Sequence, residues 1–152
     1  MVPDRIEREI LIDAPLDVVW AVVTEPAHVG TWFSDSAEID LRPGGEALLT
    51  WEEHGTARAR VERVEPPASF SFRWARDIGA EPREGNSTLV QFSLSAEGEG
   101  TRLRVVESGF RELDRPEDDK QRYAEENTRG WDLELGELRE YVSARLRGSA
   151  RT

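Results

Sequence analysis

The sequence predicts an α+β domain in which an antiparallel sheet carries one long C-terminal helix. Three observations lead there. Between residues 123 and 146, Trp131, Leu135, Leu138, Val142 and Leu146 recur at helical spacing, with Ala124 continuing the stripe upstream. Glu125, Glu126, Arg129, Asp132, Glu137, Glu140 and Arg147 fall opposite, which is the 3.6-residue period of a one-sided helix. At 1.5 Å per residue the segment runs roughly 36 Å, so it needs a broad apolar surface to lie on. The chain before it supplies that surface as a series of period-2 stretches. The remaining helical signals are short and clustered after the first strand, and strands in runs with segregated helices imply an antiparallel sheet.

The elements follow in order. Ile6, Ile10 and Ile12 alternate in part over residues 5–12, a pairing or edge strand. Asp13 is a candidate cap for the next helix, with Pro15 in its first turn, where a missing N–H costs little. Residues 16–24 carry Val18, Val19, Trp20, Val22 and Val23. A valine run also suits a strand, but the Asp-Ala-Pro entry and Pro26 favour a short helix. A second helical turn is expected over 26–33, ending at Trp32-Phe33.

Ala37, Ile39 and Leu41 then alternate as a strand, and Arg42-Pro43-Gly44-Gly45 turns the chain. Ala47, Leu49 and Trp51 share one face of the next strand, and residues 52–55 form another turn. Ala57, Ala59 and Val61 continue inward, until Glu65-Pro66-Pro67 ends the strand. Phe70, Phe72 and Trp74 give the cleanest alternation in the chain. Residues 76–86 make a loop long enough to carry function or mobility. Thr88, Val90, Phe92 and Leu94 face inward next, and a turn at 97–100 returns the chain through Leu103, Val105, Glu107 and Gly109. Residues 110–119 read as a polar link, with Asp114 and Glu117 at capping-box spacing. The tail beyond residue 146 is expected to fray.

At 152 residues one domain is expected, spanning 1–152 with its core within 5–146. Net charge is −11, which repels phosphate backbones and argues against nucleic acid as a partner. There is no cysteine, so disulfides, thiol catalysis and thiolate metal sites are excluded. No apolar run reaches membrane-span length, residues 1–8 lack a signal-peptide core, and the cytoplasm is the expected location. His28 and His54 stand apart from acidic residues at ligand spacing, so no metal site is expected and both read as surface histidines. No nucleotide-binding loop, nucleophile elbow or Ser/His/Asp arrangement is present, and no cofactor is implied.

The striped helix and the inward strand faces should meet. Together they offer Trp51, Phe70, Phe72, Trp74, Phe92 and Trp131, joined by Trp32 and Phe33. Such a set can pack as a solid core. Two details point instead to a hollow: small inward residues (Ala47, Ala57, Ala59, Gly109) and three inward polar groups, Glu107, Asn127 and Thr128. Apolar walls with a few convergent polar groups describe a small-molecule site. Glu107 shares its face with Leu103 and Val105, so its carboxylate should point toward the helix. It is either a ligand-polarising acid with raised pKa or a strand-end glutamate that reaches solvent or an arginine.

The residues also resemble a known family. Ala14-Pro15, Val19-Trp20, Thr24-Glu25-Pro26 and Trp32-Phe33 look like its opening motif. Pro43-Gly44-Gly45, Glu65-Pro66-Pro67, Phe72-x-Trp74, Gly100-Thr101, Glu107-Ser108-Gly109-Phe110 and Gly130-Trp131 follow in its order. The chain is similar, over residues 5–146, to the activator of Hsp90 ATPase homologue-like group of the SRPBCC (START-like, Bet v 1-like) superfamily. The resemblance implies a helix-grip: a curved antiparallel sheet wrapped on the C-terminal helix, with a cavity between. It implies cavity-facing Trp32, Phe33, Trp51, Phe72, Trp74, Phe92, Glu107 and Trp131, and binding of lipids, sterols, polyketides or other apolar molecules.

The leading expectation is therefore binding of a small hydrophobic, aromatic or lipid-like ligand between sheet and helix. Asn127 and Leu135 complete the ligand-facing set from the helix side. A cyclase- or hydrolase-type enzyme with Glu107 as acid/base, Asn127 or Thr128 positioning the substrate, is the second reading, and Glu107 is the one catalytic candidate. A chaperone-interaction module is the third. A homodimer stays open.

Overall fold

The computed structural model describes residues 2–150, with side chains through residue 145. Its elements are β1 (Arg5–Ile12), α1 (Leu16–Thr24), α2 (Pro26–Trp32), β2 (Ser36–Ile39), β3 (Glu46–Trp51), β4 (Gly55–Glu65), β5 (Ser69–Ala75), β6 (Ser87–Glu97), β7 (Gly100–Ser108) and α3 (Glu117–Ala150). The seven strands form one antiparallel sheet in the order β1-β7-β6-β5-β4-β3-β2. Strands β2 to β7 are a meander. The passage from β1 to β2 crosses from one edge of the sheet to the other, and α1 and α2 occupy it.

Curvature has local causes. At Val61/Arg63 the β4–β5 register shifts, leaving Glu62 unpaired, and such a bulge bends its strand. The inward alternation Ala57, Ala59, Val61 stops there, followed by exposed Glu62 and Arg63. The β2–β3 turn needs its glycines: Gly44 has φ +85°, and a Cβ on Gly45 would collide with the Asp40 carbonyl oxygen.

Helix α3 lies on the concave face. Tyr123, Ala124, Trp131, Leu135, Leu138 and Val142 are buried, while Glu125, Glu126, Arg129, Asp132, Glu137 and Glu140 are exposed. The side chains of Leu146 and Arg147, and the end of the tail at 151–152, lie outside the described residues. The helix runs through Ala150 and spans 34 residues, starting six residues before the apolar stripe does. Its first turns carry acids and no apolar residue, so periodicity alone misses them. Glu117, Asp118 and Asp119 instead complement the positive end of the helix dipole.

Three local expectations change. Asp13 does not cap α1; Pro15 is itself the N-cap, and its carbonyl accepts the Val19 N–H at 3.1 Å. The Asp114/Glu117 capping box does not form, because the Pro116 carbonyl takes the first helical N–H groups, Asp119 at 3.0 Å and Lys120 at 3.1 Å. Residues 110–119 are not merely polar: Phe110 and Leu113 are buried core residues, with Phe110 packed against Tyr123. Leu41 falls just past β2 and is exposed. The 76–86 loop is tied down by Gly79 N–H to the Thr56 carbonyl at 2.9 Å and by Arg76 to Asp119 at 3.0 Å. Among the described residues no helix is long and apolar enough to cross a membrane.

Leu138 is fully buried between α3 and the sheet. Leu138→Ala should cost about 2–5 kcal/mol of unfolding free energy, read as a lowered urea midpoint at unchanged m-value.

Candidate functional site

The concave side of the sheet and α3 converge on one carboxylate. Glu107 lies on β7 opposite Ile6 of β1 and Val90 of β6, with its side chain completely buried. Oε1 accepts from Trp131 Nε1 at 2.9 Å and Asn127 Nδ2 at 3.0 Å. Oε2 accepts from Thr88 Oγ1 at 2.6 Å, Trp74 Nε1 at 3.0 Å and Asn127 Nδ2 at 3.0 Å. Trp74 and Thr88 are register partners on β5 and β6, which sets them side by side, and Trp74 Nε1 also reaches Thr88 Oγ1 at 3.1 Å. Asn127 and Trp131 are one helical turn apart, so α3 presents both to the same acceptor.

Burial raises the Glu107 pKa, and the donors from Thr88, Trp74, Trp131 and Asn127 pull it back down. Indole N–H groups can only donate, whereas the Thr88 hydroxyl and the Asn127 amide oxygen can accept a hydrogen bond from a protonated carboxyl. The Tyr123 hydroxyl, close by, is also pushed up by burial and by the Glu107 charge.

Around this node the rings pack closely. Phe33, at the end of α2, stacks on Trp131 (centroids 5.7 Å apart) and on Trp74 (6.0 Å). Trp74 and Trp131 stack at 6.0 Å, and Trp51 meets Phe33 edge-on at 5.4 Å. Trp51 Nε1 donates to the Phe33 carbonyl at 3.0 Å, while Trp32 Nε1 donates to the Val22 carbonyl at 2.8 Å, fixing α2 on α1.

Two spaces result. A small apolar cavity of about 30 Å³ lies under α2, with Trp32, Phe33, Phe72 and Phe92 among its walls. It has room for about two water-sized spheres, and every side chain that lines it is apolar. The ligand-sized hollow expected at the centre is thus largely filled by the rings themselves. A groove of about 380 Å³ opens outside them, walled by Phe33, Trp51, Trp74 and Trp131, with His54, Glu126, Asn127, Gly130 and Glu134. Phe33 lines both spaces and separates them.

The expected site residues therefore divide. Phe33, Trp51, Trp74, Asn127 and Trp131 meet at the groove, and Trp32, Phe72 and Phe92 line the inner cavity. Glu107 sits behind the groove wall and borders neither space, and it reaches neither solvent nor an arginine. Leu135 is buried in the helix–sheet contact away from both. Thr128 spends its hydroxyl on the Ala124 carbonyl at 2.8 Å within α3. His54, Glu126 and Glu134 were not expected at the site. Glu134 is three residues after Trp131 and seven after Asn127, a helical spacing that was there to be read.

A curved antiparallel sheet closed on a long C-terminal helix defines a helix-grip protein of the Bet v 1-like, START-like kind. The family model described as Activator of Hsp90 ATPase homolog 1-like protein matches residues 13–143, and the chain belongs to that family. Among solved structures it is similar to DynU16, a protein in the dynemicin biosynthetic locus, at 26% identity and TM-score 0.76. That match covers 93% of this chain but only 48% of DynU16, so the chain spans about half of that relative. CalU16 from Micromonospora echinospora matches at 26% identity and TM-score 0.67, over 91% of this chain and 73% of CalU16. Protein BH1534 from Bacillus halodurans matches at 26% identity and TM-score 0.73, over 93% of this chain and 99% of its own. No curated protein matches.

Glu134 supplies a test of the site's electrostatics. Its Oε2 is buried without a hydrogen-bond partner, and burial, then the nearby Glu137, pushes its pKa up to about 8. The folded state then holds this proton more tightly than the unfolded chain. The resulting stability is fully present below about pH 4.5 and is lost as pH rises through about 8. Urea midpoints of the wild type and Glu134→Gln, measured at pH 5 and pH 8.5, should diverge, with the wild type losing more on the alkaline side.

Proposed function

We propose that the protein binds a small hydrophobic molecule, aromatic or lipid-like, in the tryptophan-walled groove between the sheet and α3. The observation that carries this reading is the convergence of Phe33, Trp51, Trp74 and Trp131 on one open groove of about 380 Å³. Ligand pockets are concave, mostly apolar and polar at a few fixed points, and this groove has that composition. Phe33 is its inner door: swinging this one ring aside would join the groove to the apolar cavity beneath. Family membership supports the reading, and so does the place of DynU16 in a biosynthetic locus, a setting of small-molecule chemistry.

Glu107 acts in this account as a positioning residue. All of its hydrogen bonds hold protein groups, and between them they orient two of the four groove rings. The enzyme reading needs the carboxylate to reach a substrate, which would require Trp74 or Trp131 to leave it. Covering about 200 Å² of apolar surface would contribute roughly 5 kcal/mol before association costs, which by itself sets an affinity no tighter than about 0.2 mM.

Titration with 2-naphthol, followed by tryptophan fluorescence and thermal shift, should give saturable binding with a Kd of about 0.1–1 mM, and Trp51→Ala should weaken it about tenfold. Absence of any fluorescence or melting response to 2-naphthol, other aromatics and fatty acids would reject the reading.

A further inference from the structure

We infer that the groove selects ligands carrying a positive charge next to their apolar body, such as a protonated or quaternary amine attached to an aromatic ring. The inference rests on the groove being the ligand site and adds the chemistry of what it takes. Four rings line one space, and a cation placed over an aromatic face is attracted to it, over tryptophan most strongly. The charged side chains lining that space are both acids, Glu126 and Glu134, and among the described residues no lysine or arginine lines it. An apolar ligand without charge would leave Glu134 as it is: at the wall of a ring-lined groove, with Oε2 buried and unpartnered. A carboxyl in that position has no lysine or arginine beside it in the groove, and burial and the nearby Glu137 push its pKa up. A ligand ammonium between Trp51, Trp131 and Glu134 would supply it, while its hydrocarbon part lies on Phe33 and Trp74.

The opposite sign is disfavoured on the same grounds. A fatty-acid carboxylate or a phosphate placed there would meet the two acids Glu126 and Glu134, with no lysine or arginine among the described lining residues to offset them. His54, from the β3–β4 turn, is the groove's single nitrogen base, and it belongs to the exposed rim.

The test uses three probes of one shape: benzyltrimethylammonium, its uncharged carbon isostere neopentylbenzene, and benzenesulfonate. Each is titrated into the full chain at about pH 9, above the titration of Glu134, with tryptophan fluorescence as readout. Benzyltrimethylammonium should bind at least tenfold more tightly than neopentylbenzene, with benzenesulfonate weakest. Glu134→Gln should reduce that ratio severalfold, chiefly by weakening benzyltrimethylammonium. Equal or tighter binding of the uncharged isostere would overturn the charge preference and leave the groove as an apolar site. An unchanged ratio in Glu134→Gln would also overturn it. No response to any of the three probes would overturn the preference and the groove reading together.

Discussion

One buried carboxylate joins the two layers of this molecule. Glu107 projects from β7 and receives hydrogen bonds from β5, β6 and α3 at once. Burying a charged or polar group costs several kcal/mol unless its hydrogen-bonding capacity is filled, and here it is filled by groups from three elements. The dependence runs both ways. Without Glu107 the indole N–H groups of Trp74 and Trp131 would be left without their carboxylate acceptor, at about 1–3 kcal/mol for each one unsatisfied. One side chain thus holds the orientation of two groove walls, while the rotation of α3 is set by its buried stripe from Ala124 to Val142.

The rings explain why the centre of the grip is nearly solid. Ala47 and Ala59 on β3 and β4 are short, and they line the residual cavity together with Trp32, Phe33, Phe70, Phe72 and Phe92. Phe70, Phe72 and Phe92 form one group on β5 and β6; Phe33, Trp74 and Trp131 form the next toward α3. What remains inside is about 30 Å³, and the usable space lies outside Phe33. On the proposed reading Phe33 closes the way to that inner space and would open it by rotating. Offset aromatic contacts are worth only about 0.5–1.5 kcal/mol beyond burial, so an incoming ring that restacks on Trp74 and Trp131 can replace much of what Phe33 gives up.

Much of this was legible in the residues. Period-2 alternation at Phe70, Phe72 and Trp74 and the stripe from Trp131 to Val142 placed the strands and the helix face, because burial on one side imposes those periods directly. Glu107 could be assigned to the interior by parity with Leu103 and Val105. The misses have a common cause. The start of α3 at Glu117 depends on dipole and backbone capping, and neither leaves an apolar period. Phe110 and Leu113 lie in irregular chain where no period exists. Glu134 and His54 come together only through the closure of α3 over the β3–β4 turn, a distance of about eighty residues along the chain. The size of the interior space was beyond pattern reading too, since it is set by side-chain rotamers and not by which face a residue occupies.

The direct measurement of the central claim is the ¹⁵N–¹H spectrum of the tryptophan indoles. Five tryptophans give five indole signals, assignable by single Trp→Phe changes. The account predicts that the signals of Trp74 and Trp131 are shifted downfield, exchange slowly with solvent, and both move in Glu107→Gln, while that of Trp20 stays in place. Rapid exchange of Trp74 and Trp131, or indifference of both to Glu107→Gln, would contradict it.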